Sequence, residues 1–381
     1  MKILFIHNDY FEPSGEEHAV EGLAALLEAK GHQIIWYRRG SREMDKMKFG
    51  KLRAGILSLY NPKAVKDIDS IIRKERPDFV QVQNVYPFIS PRILKMVKKH
   101  KLPLVMRCPN YRLWCPTGLF LDRSGQICEK CTGPTGELSC IKKNCTGSNL
   151  KSTAYALRNF VARKSGVFSK YVDTFIVQSE FQREKFASLG IPKERTVIVP
   201  GLTPPMLPSN LKFEAKYYTF IGRVSKEKGV DDIFRAASTL PNLTFAIAGR
   251  IGDRFDISNA PPNVIFKGFL SGLELDDLYR ESKAILVPSR WYEGFPNVIT
   301  KAMYHGKPVI TSNMGCFNDI VSHGETGLMF DINNNSGLKE AILQIENDPV
   351  GASRMGEAGR IVSVKKYGND RIYSKLIEIY S

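Results

Sequence analysis

Two cations on one loop, and a carboxylate just ahead of a helix, are the residues best suited to chemistry in this chain. In GRVSKEKGVDDIF (222–234), Arg223 and Lys228 follow an apolar run and Gly222, so a single loop can present both to a diphosphate. In SRWYEGFPNVITKAM (289–303), Glu293 stands ahead of Pro296, a residue suited to a first helical turn. Backbone N–H groups from Phe295 to Val298 would open that helix and could hold a phosphate, while Glu293 accepts from hydroxyls. Taken singly, the two cations also read as surface charges and Glu293 as a complement to the helix dipole. A third loop, PSGEEH (13–18), puts Gly15 where backbone N–H groups can approach an anion at a helix start. Lys301 is odd: an ammonium in the middle of the helix that Glu293 introduces.

Cysteine spacing carries a second chemistry. Six of the seven cysteines fall between 108 and 145, and Cys115, Cys128, Cys131 and Cys145 are spaced C-x12-C-x2-C-x13-C. That pattern suits tetrahedral zinc, with Cys140 able to replace Cys145. Reduced thiols packing a loop are the alternative, and disulfides are disfavoured in a reducing cytosol.

The elements that must position these groups alternate. Strand-like runs are KILFI, QIIWY (33–37), FVQVQ (79–83), PLVMR (103–107), TFIV (174–177) and VIV (197–199). The second half repeats the plan with YYTFI (217–221), LTFAIAG (243–249), NVIFKG (263–268), AILVP (284–288) and PVIT (308–311). Helical periods lie between them, which predicts an α/β chain of two facing, doubly wound, Rossmann-like domains with a cleft between them. PGLTPPMLPSN (200–210) reads as the linker, since its prolines resist both helix and central strand. The expected division is 1–200, carrying a Cys-rich insert at 108–145, then 201–367, then a helix at 368–381 crossing back to the first domain.

Composition bounds the rest. The 381 residues are 43% hydrophobic and 25% charged, the balance of a folded protein. No apolar run reaches the roughly 18 residues of a membrane span. MKILFIHND is apolar only from Ile3 to Ile6, so it reads as a buried strand rather than a signal peptide, and a cytoplasmic location is expected. Net charge is +16, and residues 1–200 hold 34 Lys and Arg against 19 Asp and Glu, whereas the remainder is nearly balanced. This asymmetry points the first domain at an anionic surface. KMVKKHK (95–101) and RNFVARKSGVFSK (158–170) are its basic clusters; Phe160, Val161, Val167 and Phe168 in the second could lie on anionic lipid or pack inside. No nucleic-acid-binding motif accompanies them.

Together the loops resemble those of the family 4 retaining glycosyltransferases of GT-B fold, and the later stretch GKPVITSNMGCFNDIVSHGETGLMF (306–330) continues the match in order and spacing. The resemblance implies transfer of a sugar from a UDP-, GDP- or dTDP-sugar to a hydroxyl of a glycan or lipid-linked acceptor, with retention. The implied setting is cell-surface polysaccharide or glycoconjugate assembly, at the inner face of the membrane. No cofactor is required: Arg223 and Lys228 would neutralise the leaving diphosphate, Glu293 would hold the donor sugar, and Gly294, Phe295, Pro296, Asn297 and Val298 would close over sugar and phosphate. The leaving phosphate would itself take the acceptor's proton. Gly222, Gly249, Arg250 and Phe269 match positions lining the nucleotide. PSGEEHAVEGLAALLEAKGH resembles a Gly-Gly-Glu-Asp/Glu subgroup, with Ser14 replacing one glycine. Gly15 and Glu16 then fall on the donor side, and Glu17, Asn110, Tyr111 and Arg112 on the acceptor side.

Two departures qualify the resemblance. Lys301 stands where the family has a second glutamate that accepts from ribose hydroxyls, and an ammonium cannot accept. Pro109, in CPNYRL (108–113), replaces a histidine that contacts the donor sugar in relatives. The alternatives these leave are an altered donor pocket, with Lys301 meeting a donor phosphate, a sugar carboxylate or a nearby Asp or Glu; reduced or lost activity, as in a non-catalytic nucleotide-sugar-binding protein; and compensation by neighbouring groups. A nucleotide-sugar 2-epimerase would use the same phosphate loops.

Overall fold

Most of the short β-branched and aromatic runs are followed by a helix that carries the chain back, so they pair as parallel strands, and those inside the sheets are buried on both faces. The computed structural model describes residues 1–11, 15–203, 213–252 and 255–380; Pro13, Ser14 and most of the proline-rich linker lie outside these. The chain divides into two units, Met1–Pro200 with Ile372–Ser381, and Gly201–Arg371.

In the first unit the strands are β1 (Lys2–Asp9), β2 (Gln33–Gly40), β3 (Phe79–Val82), β4 (Leu104–Arg107), β5 (Thr174–Val177) and β6 (Thr196–Ile198). All pair in parallel, in the order β2-β1-β3-β4-β5-β6. The chain leaves β1 for one side of the sheet and returns to its other side at β3. The crevice at the carboxyl ends of β1 and β3 is therefore this unit's topological switch point, the place where such sheets bind ligands. The last helix, Asn369–Tyr380, buries Ile372 and Leu376 and lays the Tyr380 ring 3.9 Å from that of Phe79.

The second unit holds β7 (Tyr217–Ile221), β8 (Thr244–Ala248), β9 (Val264–Gly268), β10 (Ser282–Val287), β11 (Val309–Ser312) and β12 (Gly327–Phe330). Their order is β12-β11-β10-β7-β8-β9, again all parallel. Counted from β7 this is 3-2-1-4-5-6, the order of dinucleotide-binding sheets, and its switch point lies between β7 and β10. A core of Phe220, Val230, Ile233, Phe245, Leu286 and Ile342 packs one face of the sheet. β12 is a strand that the apolar-run reading does not include.

Candidate functional site

The loops singled out in the sequence after β7 and β10 leave the sheet on either side of the second switch point. Gly229, at φ +75°, ends the Lys226–Lys228 turn, and a Cβ there would lie 1.9 Å from the Pro288 carbonyl oxygen. Only glycine permits that approach, and it brings the Lys228 loop against the loop that carries Glu293. Lys228 Nζ sits 2.5 Å from Glu293 Oε1 and 5.2 Å from the centre of the Trp291 ring. The same oxygen accepts from Ser289 Oγ and Trp291 Nε1, each at 2.9 Å. Glu293 is buried, so its charge rests on these three donors. Arg290 fixes the loop by a bidentate contact to buried Asp232, both bonds 2.6 Å, while its N–H donates to the Glu227 carbonyl at 2.8 Å. Arg223, more exposed, pairs with Glu227. Arg223, Lys228 and Glu293 thus share one loop cluster, and Ser289, Trp291, Arg290 and Asp232 are partners that the sequence reading did not identify. Ser289 and Trp291 stand within the motif that carries Glu293, and that proximity was their only signal.

Helix Asn297–Tyr304 starts one residue after Pro296, which occupies the cap position rather than the first turn. Gly294 and Pro296 are buried, and Phe295, Asn297 and Val298 are half-buried at the helix start. Gly222 follows β7 at φ +155°, and a Cβ on Gly249 would lie 1.9 Å from its carbonyl oxygen. Arg250 stacks over the exposed Phe269 ring at 5.3 Å.

Lys301 meets a protein carboxylate. Its Nζ lies 2.6 Å from Asp276 Oδ1 on helix Gly272–Arg280, and Asp276 is buried. Of the partners open to Lys301 from sequence, a nearby aspartate is the one present. His305 lies 3.6 Å from the same oxygen and stacks on Tyr279, its pKa lowered by burial to about 4.

At the first switch point, Gly15 opens helix Gly15–Ala29, and Glu17, buried on it, accepts from the Tyr10 N–H at 2.7 Å. Glu16 accepts from Tyr10 Oη at 2.5 Å and from Asn110 Nδ2 at 3.3 Å, and burial raises its pKa. Arg112 donates to Asn84 at 2.9 Å. Glu16, Asn110 and Arg112 line one cavity with Pro109 and Arg107. Tyr111 does not join them. It is fully buried between Phe120 and Phe186, so its place on the acceptor side is corrected to a packing role.

In the cysteine insert, Cys131, Cys140 and Cys145 pack together around Ala156. A hydrogen bond from Cys140 lowers the Cys145 thiol to about 7, and burial raises Cys131 to about 12, with Cys115, Cys145 and Cys128 close enough to add to the rise. Among the described residues no three cysteine sulfurs lie within 4.8 Å of one another; His7, Asp9 and Glu17 do, although Arg38 already occupies Asp9 at 2.8 Å.

Residues 208–362 match the family model for glycosyl transferases group 1. An uncharacterised 42.6 kDa protein in the cps region of Klebsiella pneumoniae is 25% identical, with 84% of this chain and 87% of that protein covered. Sucrose-phosphate synthase from Thermosynechococcus elongatus superposes with a TM-score of 0.72 at 17% identity, covering 100% of this chain and 98% of that one. Anabaena HepE, solved in complex with UDP and glucose, does so with a TM-score of 0.67 at 15% identity, covering 99% and 98%. The fold is that of GT-B glycosyltransferases, two Rossmann-like domains. The family match spans residues 208–362, and the solved structures show the fold across the chain.

Proposed function

We propose that this chain transfers a sugar, with retention, from a nucleoside-diphosphate-sugar to a hydroxyl of a glycan or lipid-linked acceptor. The observation that carries the reading is the Lys228–Glu293 contact at 2.5 Å, where a cation and a carboxylate meet at the switch point of the nucleotide-type sheet. Among the described residues the three donors to Glu293 land on Oε1, which leaves Oε2 to accept from a donor-sugar hydroxyl. Lys228 and Arg223 would stabilise the negative charge that grows on the leaving diphosphate, and its phosphate oxygen would take the acceptor's proton. UDP is the nucleotide we favour, supported by the UDP bound to HepE. Cell-surface polysaccharide or glycoconjugate assembly is the proposed setting. A structural zinc on Cys115, Cys128, Cys131 and Cys145, taking no part in transfer, is proposed from their thiol chemistry and from the nearness of the other three to Cys131. It requires the sulfurs to draw closer together than they stand.

Membrane docking belongs to the same proposal. Helix Gly50–Leu59 turns Ala54 and Ser58 inward and leaves Leu52 and Ile56 exposed, with Phe49 and Tyr60 on the same stripe. Helix Asn149–Ser165 likewise buries Arg158 and Asn159 while Leu150, Leu157, Phe160 and Val161 face out. Gly55 and Ala154 bring the two helices together, and exposed Lys48, Lys51, Arg53, Lys151 and Lys164 flank them. Apolar side chains inside a basic frame suit an anionic bilayer. Among the described residues no helix is long and apolar enough to cross a membrane.

Turnover of a UDP-sugar by Lys228→Ala and Arg223→Ala variants tests the transferase reading. A loss of roughly 10²–10³-fold is expected for Lys228, the more buried of the two, and a smaller loss for Arg223. Unchanged turnover in both, with the fold intact, would remove them from the site.

A further inference from the structure

The first unit's cavity gathers buried positive charge that one lining carboxylate, Glu16, opposes. The cavity, about 30 Å³, lies at the carboxyl ends of β3 and β4 beside the start of helix Gly15–Ala29. That is room for two or three waters or one compact oxyanion. Arg107, the last residue of β4, is 4% exposed, and its Nη1 has no partner among the described residues. Arg112 spends Nη1 on Asn84, and its buried Nε has no partner among the described residues. Gln83, 2% exposed at the end of β3, has neither side-chain polar atom bonded among the described residues. Behind Tyr86, Arg158 lies 4.2 Å from the ring centre, adding a third buried guanidinium. Against these, Glu16 is the carboxylate that lines the cavity, and among the described residues none of the three arginines is in an ion pair. Buried guanidiniums stay charged, so they favour an anion that arrives with a ligand.

We infer that this cavity binds the oxyanion of an acidic acceptor, a phosphoryl or carboxylate group held by Arg107, Arg112 and Gln83. The inference rests on the transferase reading only for the word acceptor. The planar fork of a guanidinium matches either oxyanion through two N–H donors, and the Gln83 amide supplies a neutral donor beside it. Asn84 sets the direction of Arg112, since its Oδ1 accepts from Arg112 while its Nδ2 is tied to the Asn8 and Tyr86 carbonyls. The acceptor class is therefore acidic: a sugar phosphate, a uronic acid, or a lipid-linked phosphate.

Titration calorimetry of the whole chain with inorganic phosphate and with glucuronate, each alone and with UDP at saturation, tests this. At least one anion should bind one per chain, and UDP should leave its affinity unchanged. Preference for phosphate or for glucuronate names the source as phosphoryl or carboxylate. Arg107→Gln and Arg112→Gln should each weaken the anion at least tenfold, with Arg107→Lys recovering part of the loss, while UDP binding certifies the fold. The inference is overturned if neither anion binds, if the glutamine variants bind as the wild type does, or if UDP abolishes the binding, because the cavity would then serve the donor. Absence of UDP binding in the wild type would count against the donor reading alone, and the anion titrations would still judge the cavity.

Discussion

Lys301 and Asp276 form a buried ion pair at 2.6 Å that ties the helix behind Glu293 to the helix ahead of β10. The ammonium whose place in that helix was unexplained is answered by the protein itself. Removing one member of a buried pair leaves the other uncompensated, so Lys301→Met should destabilise the chain by about 3–5 kcal/mol. The double variant Lys301→Met with Asp276→Asn should cost much less than the two single losses added together. Urea unfolding of all four proteins measures this, and additive single losses would show that the two side chains are independent.

Strands and chemical loops were legible because each is a contiguous stretch: an apolar run, then Gly222 and Arg223, or Ser289 to Glu293. What stayed hidden depends on faces. β12 is four residues long and starts at Gly327, where a Cβ would press on the Val309 carbonyl oxygen at 2.5 Å; a glycine-led run of that length does not read as a strand. In helix Asn149–Ser165 the usual rule is inverted, with Arg158 and Asn159 inside and Phe160 and Val161 outside, so residue type alone misplaces all four. Val167 and Phe168, from the same basic stretch, pack inward. Lys98 in KMVKKHK is neutralised by Asp173 at 2.8 Å, a partner 75 positions away. Arg107 and Gln83 looked like strand ends and prove to be cavity residues, which only the sheet order brings together.

The outward apolar stripe makes a membrane prediction that separates charge from insertion. Binding to vesicles should rise with anionic lipid content and fall with salt. Leu52→Glu with Ile56→Glu should weaken it at low salt without unfolding the protein, since both side chains are exposed. Equal binding of wild type and variant would assign any attraction to the lysines alone, and no vesicle binding at all would leave a soluble acceptor.

For the cysteine insert, protein purified without chelator should carry close to one zinc per chain. Cys131→Ser should lose the metal and expose the 108–145 stretch to protease, whereas Cys108→Ser should keep it. Metal-free wild type with an equally resistant insert would mean that the cluster around Ala156 is thiol packing.

His305 makes stability depend on pH in a definite direction. Its ring is fully buried against Tyr279, with Asp276, Lys301 and Arg280 around it, and burial lowers its pKa to about 4. An unfolded histidine titrates near 6.5, so between about 4 and 6.5 the unfolded chain binds a proton that the folded chain refuses. Stability from this group is therefore present above about 6.5 and is lost as pH falls toward 4, by up to about 3 kcal/mol. His7, also buried and also lowered to about 4, adds a similar slope in the first unit. Replacing His305 with Gln should flatten the acid limb of the second unit's unfolding curve between pH 6.5 and 4.5 and leave the first unit's limb as it was. Unfolding followed at four pH values for wild type and His305→Gln decides the matter, and identical acid slopes would mean that the buried ring takes up its proton without penalty.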